Sequence, residues 1–175
     1  LPLTVLTISS LIEYATIVAL VIFLFILLIR YFGILFFSYF CMNEYTFKPT
    51  NGYKPFVSII VPVFNEALVL QRSISSLLNL EYKDYEIIIV NDGSTDDTKI
   101  VAEKFVGFPK GKYGEVKVSL INKPNGGKAS ALNLGIKVSK AEFVLCMDGD
   151  SILTPLSLKM AIRHFVNPEV GAVAG

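Results

Sequence analysis

The stretch FVSIIVPVFNE, residues 56–66, decides the fold of this chain. Its apolar, β-branched beginning predicts a buried strand over Phe56–Val63. Asn65 follows this strand and is expected to cap a helix from about Glu66 to Leu80. The apolar side chains of that helix are expected on one face: Leu68, Ile74, Leu77 and Leu78. A strand that leads directly into a helix is the repeating unit of an α/β protein.

The same strand–helix pattern recurs three times along the chain. The further predicted strands are Tyr85–Val90, Glu115–Asn122 and Glu142–Met147. A helix is predicted after each of these strands. The first begins at a capping box, Ser94–Asp97, and extends to about Val106; the others cover Gly127–Ser139 and Pro155–Val166. The glycine-rich segment Gly107–Gly114 is predicted to be a loop. Four strand–helix units predict a mostly parallel sheet with right-handed crossovers, whose strands are buried between layers of helices.

An apolar segment precedes these units. Eleven of the twelve residues Val18–Ile29 are Val, Leu, Ile or Phe, and Arg30 is the single charge between Tyr14 and Asn43. We therefore predict a transmembrane helix with an interfacial continuation over residues 1–42, which makes the lipid bilayer a partner. A cleaved signal peptide fits less well, because the run is long and no basic segment precedes it. Residues 43–55 are predicted to be a linker, and residues 56–175 the globular domain.

The flanking charges predict the orientation of this helix. Glu13 precedes it, whereas Arg30, Lys48 and Lys54 lie at or after its end. Because cytoplasmic flanks are enriched in Lys and Arg, the globular part is expected in the cytoplasm, at the cell membrane. One crossing is expected within this chain, and further crossings in the full-length protein.

Composition excludes several classes of protein. The 175 residues are 53% hydrophobic and carry a net charge of +1. A disordered chain, a disulfide scaffold and a dedicated nucleic-acid binder are excluded, the last because no basic excess is available to neutralise phosphates. Cys41 and Cys146 have no metal-ligand spacing, and Cys146 is expected to be a small buried residue within an apolar strand.

Polar clusters follow each predicted strand. They are Asn65-Glu66, Asn91-Asp92-Gly93-Ser94, the loop Lys123–Lys128 and Asp148-Gly149-Asp150. Because ligands of open α/β sheets bind beyond the carboxyl ends of the strands, four clusters at one edge predict a binding site.

Asp148-Gly149-Asp150 is the strongest of these clusters. Residues i and i+2 of an extended segment point the same way, so both carboxylates can reach one ligand, and Gly149 leaves room for it. Such oxygen ligands suit Mg²⁺ or Mn²⁺ held jointly with substrate phosphates. The alternative is an exposed turn that caps the next helix.

The loop before the third helix could hold a diphosphate. Backbone N–H groups at the helix N-terminus and the side chain of Lys128 suit an anion, although the loop is not a P-loop because Asn122 stands where its first glycine should be. Asp92 could accept hydrogen bonds from a base or a ribose. For both features the alternative is a turn that leads into a helix.

Four motifs in this order resemble those of family 2 glycosyltransferases of GT-A fold. They are residues 57–66, residues 90–96, Asn125-x-Gly-Lys-x-x-Ala-x-Asn133 and Asp148-Gly149-Asp150. The resemblance covers about Phe56 to Gly175. Within the family, the chain looks most like the membrane-bound processive synthases of poly-β-1,6-N-acetylglucosamine, with hyaluronan, chitin and cellulose synthases as relatives.

The resemblance implies a role for each site residue. Asp92 would contact the uracil of a UDP-sugar, together with residues near Pro62 and Asn65; Glu66 belongs to the same donor-binding set. Lys128 would lie beside the diphosphate. Asp148 would face the ribose, and Asp150 would bind the divalent metal.

The resemblance also implies the reaction. We expect the nucleotide-binding half of a membrane-bound inverting glycosyltransferase that extends a β-linked polysaccharide or glycan acceptor from a UDP-sugar, with UDP-N-acetylglucosamine as the first candidate. The family's catalytic base and its Gln-x-x-Arg-Trp motif lie later than Gly175, so no catalytic base is assigned and the chain is expected to be an N-terminal portion.

Two alternatives stay open. One is a noncatalytic membrane protein whose α/β domain binds a nucleotide or a partner. The other is an Asp-x-Asp phosphotransferase of the haloacid dehalogenase type. The latter is disfavoured because its motif belongs on the first strand, and because Ile152 stands where Thr or Val is required.

Overall fold

The structure, a computed structural model, describes residues 3–44 and 52–175, which fall into two units divided near residue 49. The first unit is one helix, α1 (Leu3–Glu44). Its stretch Ser10–Phe40 has a mean hydropathy of 2.8 and is long and apolar enough to cross a membrane. At 1.5 Å per residue these 31 residues extend about 46 Å, more than the hydrocarbon core of a bilayer. The helix runs two residues past its predicted end, and most of the predicted linker 43–55 lies outside the described residues.

The second unit is an α/β domain. Its strands are β1 (Val57–Val63), β2 (Tyr85–Asp92), β3 (Lys110–Gly111), β4 (Gly114–Glu115), β5 (Lys117–Lys123) and β6 (Phe143–Cys146). Its helices are α2 (Ala67–Leu78), α3 (Thr98–Glu103), α4 (Lys128–Val138) and α5 (Ser157–Ile162), and a 3₁₀ turn (Arg163–Val166) follows α5. The main sheet has the order β5-β2-β1-β6, and all its strands are parallel. The predicted α/β class and parallel sheet are confirmed.

The sheet separates two apolar clusters. One face carries Ile59 and Ile87, which pack with buried residues of α2 and α5. The other face carries Ile60 and Ile88, which pack against Ala131 of α4. Helix α4 lies so close to β1 that a Cβ added to Gly135 would overlap the Ile60 side chain. The strands β1 and β2 are buried along their whole length, as predicted.

Three details of the helices and loops were predicted wrongly. The buried face of α2 is formed by Leu70, Ser73, Ile74 and Leu77. Leu68 is 95% exposed, because it lies two residues before Leu70 and so on the opposite side of the helix. The segment Gly107–Gly114 includes parts of a two-stranded antiparallel hairpin rather than only a loop. Helix α3 ends at Glu103, three residues before its predicted end.

Cys146 is exposed, which contradicts its predicted burial. Its strand β6 pairs with β1 and alternates between partly buried and exposed side chains. Ile60, the partner of Cys146 in that register, is covered by α4, whereas Val144 and Cys146 on the same face of β6 are exposed. The apolar sequence of β6 predicts a strand, but it does not tell which of its faces a helix covers.

Candidate functional site

The site is built from the segments that follow β1, β2, β5 and β6. In a parallel sheet these carboxyl ends lie at one edge. Contacts between the four segments join five of the seven residues predicted for the site: Asn65, Glu66, Asp92, Lys128 and Asp148. Asp150 lies near enough to Glu66 for its charge to raise the pKa of the Glu66 carboxyl. Pro62 is buried within β1, opposite Val90.

Asn65 binds the neighbouring loop instead of capping α2. Its side-chain Oδ1 accepts a hydrogen bond from the backbone N–H of Thr95 (2.8 Å), and its own N–H donates to Ser94 Oγ (3.0 Å). Its φ of 55° lies in the left-handed region, which asparagine tolerates better than most residues. Asn65 therefore connects the segment after β1 to the segment after β2.

Asp96, which the sequence analysis missed, supplies the cap that was expected from Asn65. Its Oδ2 accepts from the N–H of Ala67 at the start of α2 (3.2 Å), and its Oδ1 accepts from the N–H of Thr98 (3.0 Å). Hydrogen bonding from the Thr98 hydroxyl is the main cause that lowers the pKa of Asp96. The predicted capping box Ser94–Asp97 was wrong in detail, because α3 begins at Thr98 and its N-cap residue makes no side-chain capping bond in the described structure.

Asp92 is buried at the end of β2 and holds the loop that follows β5. Its Oδ1 contacts Lys123 Nζ and also accepts from the N–H of Gly126 (3.0 Å). The hydrogen bond from Lys123 is the main cause that lowers the pKa of Asp92, so the buried carboxylate is ionised. Lys123 was part of a predicted loop, but no role was assigned to it, because its partner depends on β5 pairing with β2.

Gly93 allows this loop to approach β2. Its φ is +74°, and a Cβ at this position would lie 2.6 Å from the backbone nitrogen of Asn125. Close by, Asn91 Nδ2 donates to Asn122 Oδ1 (2.9 Å), and Asn91 Oδ1 accepts from the N–H of Ser94 (3.1 Å). The first of these part-buried contacts joins the ends of β2 and β5, and the second holds the turn that follows β2.

Lys128 joins α4 to the segment that follows β6. It is the first residue of α4, and its Nζ lies 2.5 Å from Asp148 Oδ1. The hydrogen bond with Asp148 is the main cause that raises the pKa of Lys128. Both side chains are more than half exposed, so a ligand can reach this pair from solvent.

Glu66 faces the Asp148-Gly149-Asp150 turn. A Cβ added to Gly149 would overlap Glu66 Oε2, and this buried oxygen has no hydrogen-bond partner within residues 3–44 and 52–175. Burial is the main cause that raises the pKa of Glu66, and the charges of Asp150 and Asp148 raise it further. Three carboxyl groups and one lysine therefore share this corner of the site.

These residues suit a divalent cation that is shared with a ligand. Among the described residues, no group of three or more His, Cys, Asp or Glu side chains is arranged to hold a metal ion by itself. Mg²⁺ is commonly held by one or two carboxylates together with substrate phosphates, so Asp148 and Asp150 would meet that need with a phosphate ligand. The unpartnered Glu66 Oε2 beside them is a further oxygen that such a cation, or a water bound to it, could satisfy.

Comparisons with known proteins point to one family. Residues 58–175 match the family described as Glycosyl transferase family 2. The chain is 38% identical over 120 residues to poly-beta-1,6-N-acetyl-D-glucosamine synthase of Staphylococcus epidermidis. This match covers 68% of this chain and 28% of that protein. It is 37% identical over 112 residues to hyaluronan synthase of Pasteurella multocida, covering 64% of this chain and 11% of that protein. The chain thus spans less than a third of the length of either relative.

Solved structures agree with this family. TarS 1–349 of S. aureus in complex with UDP-GlcNAc is 30% identical, with a TM-score of 0.53 over 65% of this chain and 31% of that structure. The mannosyltransferase PcManGT of Pyrobaculum calidifontis, solved with GDP-Man and Mn²⁺, has a TM-score of 0.62 at 23% identity, covering 81% of this chain and 43% of that structure. This second likeness concerns the fold alone. With the family match extending over most of the globular domain, the chain belongs to glycosyl transferase family 2.

Proposed function

We propose that this chain is the donor-binding part of a membrane-bound glycosyltransferase that uses a UDP-sugar. The observation that carries the proposal is the contact between Lys128 and Asp148, with Glu66 and Asp150 beside it. It places a cation at a helix N-terminus next to a pair of carboxylates, which is what a metal-bound diphosphate requires. The complex of TarS with UDP-GlcNAc supports a UDP-sugar as the ligand.

In this proposal Asp92 recognises the base. Its buried, ionised carboxylate is a hydrogen-bond acceptor, and uracil presents a ring N–H as a donor. Cytosine has an unprotonated acceptor nitrogen at the same ring position, so it would face the carboxylate with repulsion. Pro62 and Asn65 would complete the nucleoside side of the site.

The diphosphate would lie between Lys128 and the Asp148-Gly149-Asp150 turn. Lys128 and the first backbone N–H groups of α4 favour negative charge at that place. Asp148 would face the ribose, and Asp150 would ligate Mg²⁺ or Mn²⁺. When bound, the metal would neutralise charge that develops on the departing UDP, as the ammonium of Lys128 would also do.

The acceptor and the location are part of the same proposal. The synthase relatives make β-1,6-linked N-acetylglucosamine and hyaluronan, according to their names. We infer UDP-N-acetylglucosamine as the donor and a growing β-linked polysaccharide or glycan as the acceptor, with inversion at the sugar. Helix α1 would anchor the protein in the cell membrane, with the α/β domain in the cytoplasm. No catalytic base is assigned within this chain.

A panel of radiolabelled UDP-sugars, offered to membranes that carry the full-length protein, tests this proposal. We expect UDP-N-acetylglucosamine to give labelled polymer in the presence of Mn²⁺ or Mg²⁺, and membranes without the protein to give none. Polymer from a different UDP-sugar would overturn the choice of donor. Binding of UDP with no transfer from any donor in the panel would favour the noncatalytic alternative.

A further inference from the structure

Lys123 and Asp92 face each other at the ends of neighbouring strands. Lys123 is the last residue of β5, Asp92 is the last residue of β2, and the two are partners in the strand register. Residues in register on adjacent strands present their side chains on the same face of the sheet. Lys123 Nζ contacts Asp92 Oδ1, and the two side chains are only 15% and 5% exposed. The cation and the carboxylate are therefore largely withdrawn from water.

The ammonium group of Lys123 also holds the loop that leads into α4. Its Nζ donates to the carbonyl oxygen of Pro124 (2.6 Å), while the N–H of Gly126 donates to the same carboxylate oxygen, Asp92 Oδ1 (3.0 Å). Asn125, in the middle of this loop, lies close against Gly93. Asp92 is thus oriented from one side by a lysine and by the backbone that the lysine supports.

We propose that Lys123 is a positioning residue for the donor nucleotide, which holds the Asp92 carboxylate in place and aimed at the base. This inference rests on the proposed function, because it needs Asp92 to bind the base. Lys123 begins the predicted loop Lys123–Lys128, but it lies outside the motif Asn125–Asn133 and was given no role of its own. Lys123 would act through Asp92, without touching the nucleotide itself.

The electrostatics around Asp92 predict what removal of the cation would do. Within the described part of the chain, Lys123 from β5 is the charged group that faces the carboxylate, and the loop contributes the backbone N–H groups of Gly126 and Gly127. Burial acts in the opposite direction and favours the protonated acid. Without the lysine, the pKa of Asp92 would rise. Because the ionised form is the one that binds the base, nucleotide affinity would then fall as the pH falls through the raised pKa.

The test is calorimetric titration of UDP, with Mn²⁺ present, into the whole chain in detergent, from about pH 8 to about pH 5. For Lys123→Met we expect an affinity at least about tenfold below wild type at neutral pH, and a deficit that grows as the pH is lowered. Lys123→Arg keeps a cation and should stay within about threefold of wild type across the range.

Lys117→Met is the matched control. Lys117 lies at the other end of the same strand and forms an ion pair with the buried Glu86 at 2.9 Å. Loss of this pair should leave UDP affinity and its pH profile as in wild type. Thermal melting by circular dichroism reports whether each variant is folded, and Lys123→Gln replaces the methionine variant if that one does not fold.

Several outcomes would overturn the inference. A role of Lys123 through the Asp92 charge would be excluded if Lys123→Met bound UDP with wild-type affinity. It would also be excluded if the methionine and arginine variants lost affinity equally and at every pH, or if Lys117→Met showed the same loss. If wild-type chain bound no UDP at all, the proposed function would fail first, and this inference would fail with it.

Discussion

Asp150→Asn is expected to lower sugar transfer by the full-length protein by about a hundredfold or more, the effect of losing several kcal/mol of charge stabilisation. Asp150 lies close enough to Glu66 for its charge to raise the pKa of that group. Asparagine keeps the size of the side chain but removes the charge that a divalent cation needs. Transfer from a radiolabelled UDP-sugar at fixed Mn²⁺, measured in membranes with equal amounts of each protein, gives the result.

Asp97→Asn is the matched control for this change. Asp97 is exposed and immediately precedes α3, where its side chain makes no capping bond within the described residues. Its loss should change transfer by less than about twofold, as is usual for a surface substitution. If Asp150→Asn transferred sugar as fast as wild type or Asp97→Asn, Asp150 would have no part in binding a metal or the donor.

Gly149→Ala is expected to abolish Mn²⁺-dependent binding of UDP by this chain. The new Cβ would overlap Glu66 Oε2 and lie 2.7 Å from Val63 Cγ1. Val63 is buried in β1, so we expect the turn and the Glu66 carboxyl to move apart. We expect this displacement to separate Asp148 and Asp150 from Lys128. The strain should also lower the free energy of unfolding by about 1–3 kcal/mol.

Titration with UDP and a thermal melt measure the two effects of Gly149→Ala separately. Gly171→Ala serves as the control, because a Cβ at Gly171 meets no atom within 4 Å and its φ lies outside the left-handed region. That variant should bind UDP and melt as wild type does. Unchanged UDP affinity in a folded Gly149→Ala would show that the contact between Glu66 and the turn has no role in binding.

The strands could be predicted from the sequence because their apolar runs are long and β-branched. Ile87 and Ile88 are buried on opposite faces of the sheet, which a continuous apolar run indicates directly. Finer features depended on contacts between distant segments. Which face of α2 is buried, leaving Leu68 exposed, depends on what packs against that helix. The exposure of Cys146 likewise depends on which face of β6 a helix covers. The local sequence does not contain this information.

The site was predictable in outline but not in its internal contacts. Polar clusters that follow parallel strands must meet at one edge, so the sequence alone groups Asp92, Lys128 and Asp148. The contact of Lys123 with Asp92 requires the order β5-β2, and the cap that Asp96 provides to α2 requires two loops to lie side by side. Sequence spacing determines neither the strand order nor the contact between these loops.

Calorimetric titration of UDP into the wild-type chain, with Mn²⁺ and again with EDTA, tests the proposed donor site most directly. The four strand-end segments are already joined in this structure by the bonds of Asn65, Asp92, Asp96 and Lys128. We therefore expect saturable binding of UDP at a single site, which weakens when EDTA removes the metal. A titration with no heat of binding under either condition, from a chain shown to be folded, would contradict the assignment of this edge as a nucleotide site.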